Sequence, residues 1–102
     1  MTERGKYQVF VSHSSKNQDE AEAVRTALEG AGVPCWLSYR DIPSGGDWAK
    51  NIAGALSECP LVLLVYSREA NASPHVQREI SMATRLRREI LPVRVGLRTS
   101  AR

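Results

Sequence analysis

The sequence predicts a single α/β domain built on a parallel sheet. Short apolar runs recur at residues 7–12, 33–38, 61–66 and 90–95, with capped amphipathic stretches between them. That alternation builds βαβ units with right-handed crossovers. The run at 61–66, Leu-Val-Leu-Leu-Val-Tyr, is unbroken, as suits a strand covered on both faces. Just beyond it, Ser73-Pro74-His75-Val76-Gln77-Arg78-Glu79 reads as a helix opening. An acid on the helix after a core strand lies near the carboxyl ends of the strands, where open α/β sheets bind ligands.

Each element has a local reason. Tyr7-Gln8-Val9-Phe10-Val11-Ser12 is the first strand, and Ser14 to Asn17 break it. Asn17 is expected to cap the first helix, with Glu20 three residues on in capping-box fashion. Ala21, Val24, Leu28 and Ala31 form its apolar stripe, and Gly30 and Gly32 end it. The second strand, 33–38, carries Pro34 early, which places it at a sheet edge. Residues 39–46 are a loop with Pro43, Gly45 and Gly46. Asp47 caps a second helix whose Trp48, Ile52, Ala55 and Leu56 face inward. After the third strand, 67–72 read as a loop. Ser73 then caps a helix with Pro74 at its first position and a stripe of Val76, Ile80 and Ala83. The fourth strand is 90–95. The layout is a lead over 1–6, the domain over 7–95, and a basic tail over 96–102.

Bulk properties narrow the class. The chain has 102 residues, 42% hydrophobic and 25% charged, which is ordinary for one small globular domain. No apolar run approaches a membrane span, and residues 1–6 lack the apolar core of a signal peptide, so a cytoplasmic domain without membrane contact is expected. The net charge of +3 does not argue for nucleic acid, whose involvement is expected only indirectly. Arginines 68, 78, 85, 87, 88, 94, 98 and 102 crowd the last third, either as a solvated face or as attraction to phosphates or an acidic partner. Cys35 and Cys59 lack metal-ligand or CxxC spacing and read as reduced packing residues, and His13 and His75 are not spaced as a zinc pair. No metal site is expected.

Three stretches resemble one family. Val9-Phe10-Val11-Ser12-His13-Ser14-Ser15-Lys16 is similar to the first conserved box of Toll/interleukin-1 receptor (TIR) domains. Cys35-Trp36-Leu37-Ser38-Tyr39-Arg40-Asp41-Ile42-Pro43-Ser44-Gly45 is similar to their second strand and BB loop. Residues 73–79 align with the segment that carries the catalytic glutamate of NAD-cleaving, prokaryotic-type members. The resemblance implies a flavodoxin-like three-layer fold with a parallel sheet of order 2-1-3-4-5. It implies either NAD+ glycohydrolase activity or signalling by TIR–TIR assembly. Two departures stand out: enzymatic members carry tryptophan where this chain has His75, and the family continues through a fifth strand and a last helix that lie beyond this sequence. A fragment of a longer protein is therefore expected, with a fused or associated sensor domain.

On this resemblance the site residues take roles, each beside a plainer one. Glu79 is the expected catalytic carboxylate; the plainer role is a helix-dipole acid or a salt-bridge partner. Ser12, His13, Ser14 and Lys16 follow the first strand and can donate to ribose and phosphate, or simply cap and close a loop. Trp36 and Trp48 pack against nicotinamide or adenine, or against the core. Arg40 and Asp41 shape the BB loop, or Arg40 reaches a phosphate. His75 shares a helix face with Glu79. Asp41, Ile42, Pro43 and Gly45 form the assembly loop. NAD+ enters as substrate, and no cofactor is expected.

The chemistry suits one carboxylate. Nicotinamide leaves NAD+ as a neutral molecule, so no acid need protonate it, unlike ordinary glycosides with their two carboxylates. Two functions from different classes follow. One is an NAD+ nucleosidase giving nicotinamide and ADP-ribose or a cyclic isomer, activated by self-assembly in bacterial antiviral defence. The other is a non-catalytic scaffold acting through homotypic TIR contacts. A receiver-type phosphoacceptor is disfavoured, because the strands end in Ser12, Ser38 and Ser67 where such a site needs acids.

Overall fold

Four parallel strands form one sheet of order β2-β1-β3-β4 in the computed structural model, which describes residues 7–37 and 47–94. The strands are β1 (Val9–Ser12), β2 (Cys35–Leu37), β3 (Leu61–Tyr66) and β4 (Glu89–Arg94). The helices are α1 (Gln18–Gly30), α2 (Trp48–Glu58), the short α3 (Arg68–Asn71) and α4 (Pro74–Arg85). The expected order 2-1-3-4 is present, and β2 lies at the edge that Pro34 indicated. The Pro34 carbonyl accepts from the backbone N–H of Gln8 and Val9. The lead, the loop at 39–46 and the tail at 96–102 lie outside the described residues.

Alternation along the strands divides the core into two halves. Phe10, Trp36 and Val62 meet Ile52, Ala55, Leu56 and Cys59 of the α2 side and Ala83 of α4. Val9, Val11, Cys35, Leu37, Leu63 and Val65 meet Ala21 of α1, with Val24 and Leu28 packed against them. The result is the expected three layers. Coverage of β3 is less complete than its apolar run suggested: Leu61 and Leu64 are half-buried, and Tyr66 is exposed with the Arg94 guanidinium 5.8 Å over its ring.

Three local expectations are corrected. Asn17 sits at the N-cap of α1 but makes no side-chain cap bond. Its Oδ1 accepts instead from Ser67 Oγ at 2.6 Å, a buried partner that wins over the exposed backbone. Ser14 does the capping, one turn earlier, accepting from Lys16 N at 3.1 Å ahead of a 3-10 turn over Ser15–Asn17. Residues 68–71, read as loop, form α3, because Ser67 Oγ accepts from Ala70 N at 2.9 Å. Ala31 is exposed: it is the C-cap, one residue past the stripe.

The ends of α1 and α4 share one geometry with different chemistry. Gly32 N–H donates to Glu29 O at 3.0 Å and Val33 N–H to Leu28 O at 2.9 Å, a Schellman closure with Gly32 at φ 88°. In α4 the same closure runs from Arg87 N to Thr84 O and Arg88 N to Ala83 O, and Arg87 holds φ 61°. A side chain in that region costs about 1–2 kcal/mol, partly offset by the extra unfolded-state freedom of glycine. Arg87→Gly is therefore expected to stabilise the domain by about 0.5–1 kcal/mol. A Tm that falls on this substitution overturns the expectation.

Candidate functional site

Helix α4 starts where the sequence places it. Ser73 Oγ accepts from Val76 N at 3.2 Å, and Pro74 occupies the first turn, which has no acid. Gln77 Nε2 donates to Asn71 O at 2.7 Å, tying α4 to the end of α3. Val76 and Ala83 are buried on the sheet-facing stripe, and Glu79 lies beside it in the second turn. Glu79 is 1% exposed. A carboxylate buried that deeply requires partners. It is neither a first-turn dipole acid nor the partner of an arginine in the described contacts.

Those partners come from β1 and from α4 itself. Ser12 ends β1 on the same side as Phe10, so its side chain turns toward α4. Its Oγ donates to Glu79 Oε1 at 2.7 Å across 67 residues of chain. Glu79 Oε2 lies 2.9 Å from His75 Nε2, four residues back on the helix. The contact has ion-pair distance, and Oε2 has no aligned hydrogen-bond donor among the described residues. Helical spacing thus pairs His75 with Glu79, and the packing of α4 on β1 adds Ser12. The ring of His75 is partly exposed, whereas Ser12 is fully enclosed.

The loop after β1 is tightly held. His13 is buried, and its Nδ1–H donates to Ser14 O at 2.8 Å. Ser14 is buried with its Oγ occupied by the Lys16 amide, and the Lys16 side chain is exposed. The pair Asn17–Ser67, missed as such by sequence reasoning, anchors this loop to α3. The available signal was that Ser67 directly follows β3, at the same end of the parallel sheet as the loop after β1. Ser67→Ala removes the α3 cap and leaves Asn17 Oδ1 buried without its donor. A loss of about 1–3 kcal/mol is expected in denaturant unfolding, and an unchanged midpoint contradicts the anchor.

Trp36 is placed in the core. It is 5% exposed and stacked on Phe10 with ring centroids 4.9 Å apart and planes at 20°. A hollow of about 580 Å3 beside it is lined by Tyr7, Asp47, Lys50 and Glu58 among others, and by none of Ser12, His13 or Glu79. The opposite flank of α4 from Glu79 borders a hollow of about 320 Å3 with Leu64, Tyr66, Gln77 and Ser81. The side chain of Trp48 and all of Arg40, Asp41, Ile42, Pro43 and Gly45 lie outside the described residues.

The order of strands, the serine at the end of β1 and the buried glutamate of α4 coincide with a family match. The sequence matches the TIR domain over residues 9–101. The chain belongs to the TIR-domain family. Solved structures agree in fold. The TIR domain of the Toll-related receptor TRR-2 from Hydra magnipapillata superposes with TM-score 0.78 at 19% identity, over 94% of this chain and 80% of that one. A metazoan TIR-STING receptor from C. gigas gives TM-score 0.79 at 22% identity, over 94% of this chain and 33% of that one. The TIR domains of the activated Roq1 resistosome give 0.75 at 17%, over 87% and 57%. No curated protein matches in sequence.

Two further features of this TIR domain bear on its chemistry. Cys35 and Cys59 are free and buried, and burial pushes the Cys59 thiol up to about 12, with Glu58 adding to the rise. Cys59 is therefore a neutral packing group. Among the described residues no helix is long and apolar enough to cross a membrane.

Proposed function

We propose that this TIR domain is an NAD+ nucleosidase of the prokaryotic type, cleaving the bond between ribose C1′ and the pyridinium nitrogen. The observation that carries the reading is the Glu79 carboxylate, buried beyond the carboxyl end of β1 with Ser12 Oγ at 2.7 Å. Packing alone does not call for an acid there, since burying one is costly. In the proposed reaction the electron pair of the C1′–N bond departs with neutral nicotinamide. Glu79 accepts from the ribose hydroxyls and steadies the positive charge spread over C1′ and the ring oxygen. Water then adds to C1′ and gives up a proton, yielding ADP-ribose; attack by an adenine nitrogen yields a cyclic isomer instead.

NAD+ is the substrate in this reading, and no resident cofactor or metal takes part. Lys16, whose side chain is exposed, serves the diphosphate, while Ser12 holds Glu79 and His13 and Ser14 shape the loop that carries Lys16. Trp48, Arg40 and Asp41 are assigned to the rest of the substrate, while Trp36 stays in the core stack with Phe10. A loop containing Asp41, Ile42, Pro43 and Gly45 from a neighbouring protomer completes the site, so activity follows TIR–TIR assembly. The proposed setting is cytoplasmic bacterial defence, with a fused or associated sensor domain.

The test is direct. Concentrated or crowded protein is incubated with NAD+, and free nicotinamide is followed by chromatography. Time-dependent release is expected from the wild type and not from Glu79→Gln. Equal release by both, or none by either, overturns the reading. One observation favours the scaffold alternative: Glu79 is only 1% exposed, as a purely structural buried strut would be. That alternative predicts concentration-dependent self-association without NAD+ loss.

A further inference from the structure

We infer that His75 is the positioning residue of the Glu79 carboxylate: its imidazole Nε2–H holds Oε2 while the Ser12 hydroxyl holds Oε1. The inference rests on the nucleosidase reading above and adds to it the group that fixes the orientation of the acid. Three observations carry it. The carboxylate is 1% exposed, and Oε2 is occluded from solvent with no aligned donor among the described residues, so its charge must be answered by protein. The nearest cation-forming group is His75 Nε2 at 2.9 Å. The two residues are four apart on a helix fixed at its start by the Ser73 cap and Pro74, so the contact is built into α4.

The geometry also limits how the carboxylate can turn. An ionised carboxylate offers about four acceptor positions, two on each oxygen. Ser12 takes one on Oε1 and His75 one on Oε2. With each oxygen held, the carboxylate plane cannot swing. Without His75 it turns about its terminal bond while keeping the Ser12 bond, and the oxygen nearest C1′ is misplaced. Displacement on the order of an ångström at a reacting centre is worth about a hundredfold in rate.

The test compares His75→Phe, which keeps a ring and removes the donor, with His75→Gln, whose amide N–H reaches the same oxygen. His75→Phe is expected to lower kcat for nicotinamide release by about a hundredfold, with little change in KM and a modest fall in Tm, because Oε2 is left buried without its partner. His75→Gln is expected to recover at least about a tenth of wild-type kcat, since a positioned donor is restored. Full activity in His75→Phe, or equal loss in both variants with Tm unchanged, overturns the inference. A readout free of turnover separates this from the reading beneath it. Imidazole 15N signals of His75 are expected to identify Nε2 as the protonated nitrogen and to move in Glu79→Gln. If they do not, the contact is absent whatever the activity. If they do and no protein releases nicotinamide, the nucleosidase reading falls and the His75 contact stands.

Discussion

Glu79→Gln is expected to lower nicotinamide release from NAD+ by about a hundredfold to a thousandfold, the usual cost of removing one preorganised electrostatic group. The substitution is chosen for what it keeps. Glutamine has the same shape, and its carbonyl oxygen still accepts from Ser12 Oγ, so the 2.7 Å link between β1 and α4 survives. What disappears is the negative charge that would face the developing oxocarbenium. Stability should change little, because neutralising a buried charge removes a desolvation cost while the His75 contact is weakened. An inactive protein with a nearly unchanged Tm is the signature of an acid retained for chemistry. A drop in Tm without any loss of turnover would mark Glu79 as a structural strut. Glu79→Ala is the poorer probe: it opens a hole and leaves the Ser12 hydroxyl without its acceptor, costing about 1–3 kcal/mol by itself.

The parts of this site legible in the sequence are those set by short-range rules. Ser73 and Pro74 mark the start of α4, and the spacing of His75 and Glu79 puts them on one face, with the pair at 2.9 Å. The apolar runs with helices between them fix the parallel sheet, and Pro34 marks the edge strand. What escaped is non-local. Asn17 looks like a cap because the residues after it are helical, but its side chain is claimed by Ser67, 50 residues away. A local pattern cannot weigh a buried long-range partner against an exposed backbone N–H, and burial decides in favour of the partner. Trp36 shows the same limit: beside a loop it suggests a ligand, while the register Phe10↔Trp36 commits its face to the core stack.

Phe10→Ala is expected to be the most destabilising single core substitution, at about 3–5 kcal/mol. Phe10 is fully buried on the central strand β1 and stacks on Trp36. It shares its cluster with Ile52 and Leu56 of α2 and Ala83 of α4, so it joins the sheet to both helices of that layer. Neighbours anchored on three separate elements cannot collapse into the hole together, which puts the cost high in its range. Against a total of about 5–15 kcal/mol for a native domain, the loss leaves little margin, and Tm should fall by more than about 10 °C. Leu91→Ala is the control: Leu91 is 48% exposed on β4, and its loss should stay within about 0.5 kcal/mol. Far-UV circular dichroism is the appropriate probe, since the Phe10 substitution alters the surroundings of Trp36 and with them its fluorescence. The effect also reaches the site. Ser12 is two residues beyond Phe10 on the same side of β1, so a loosened strand moves the hydroxyl that holds Glu79. A Phe10→Ala protein that melts within a few degrees of wild type would mean that the α2 and α4 layer is held by something other than this cluster.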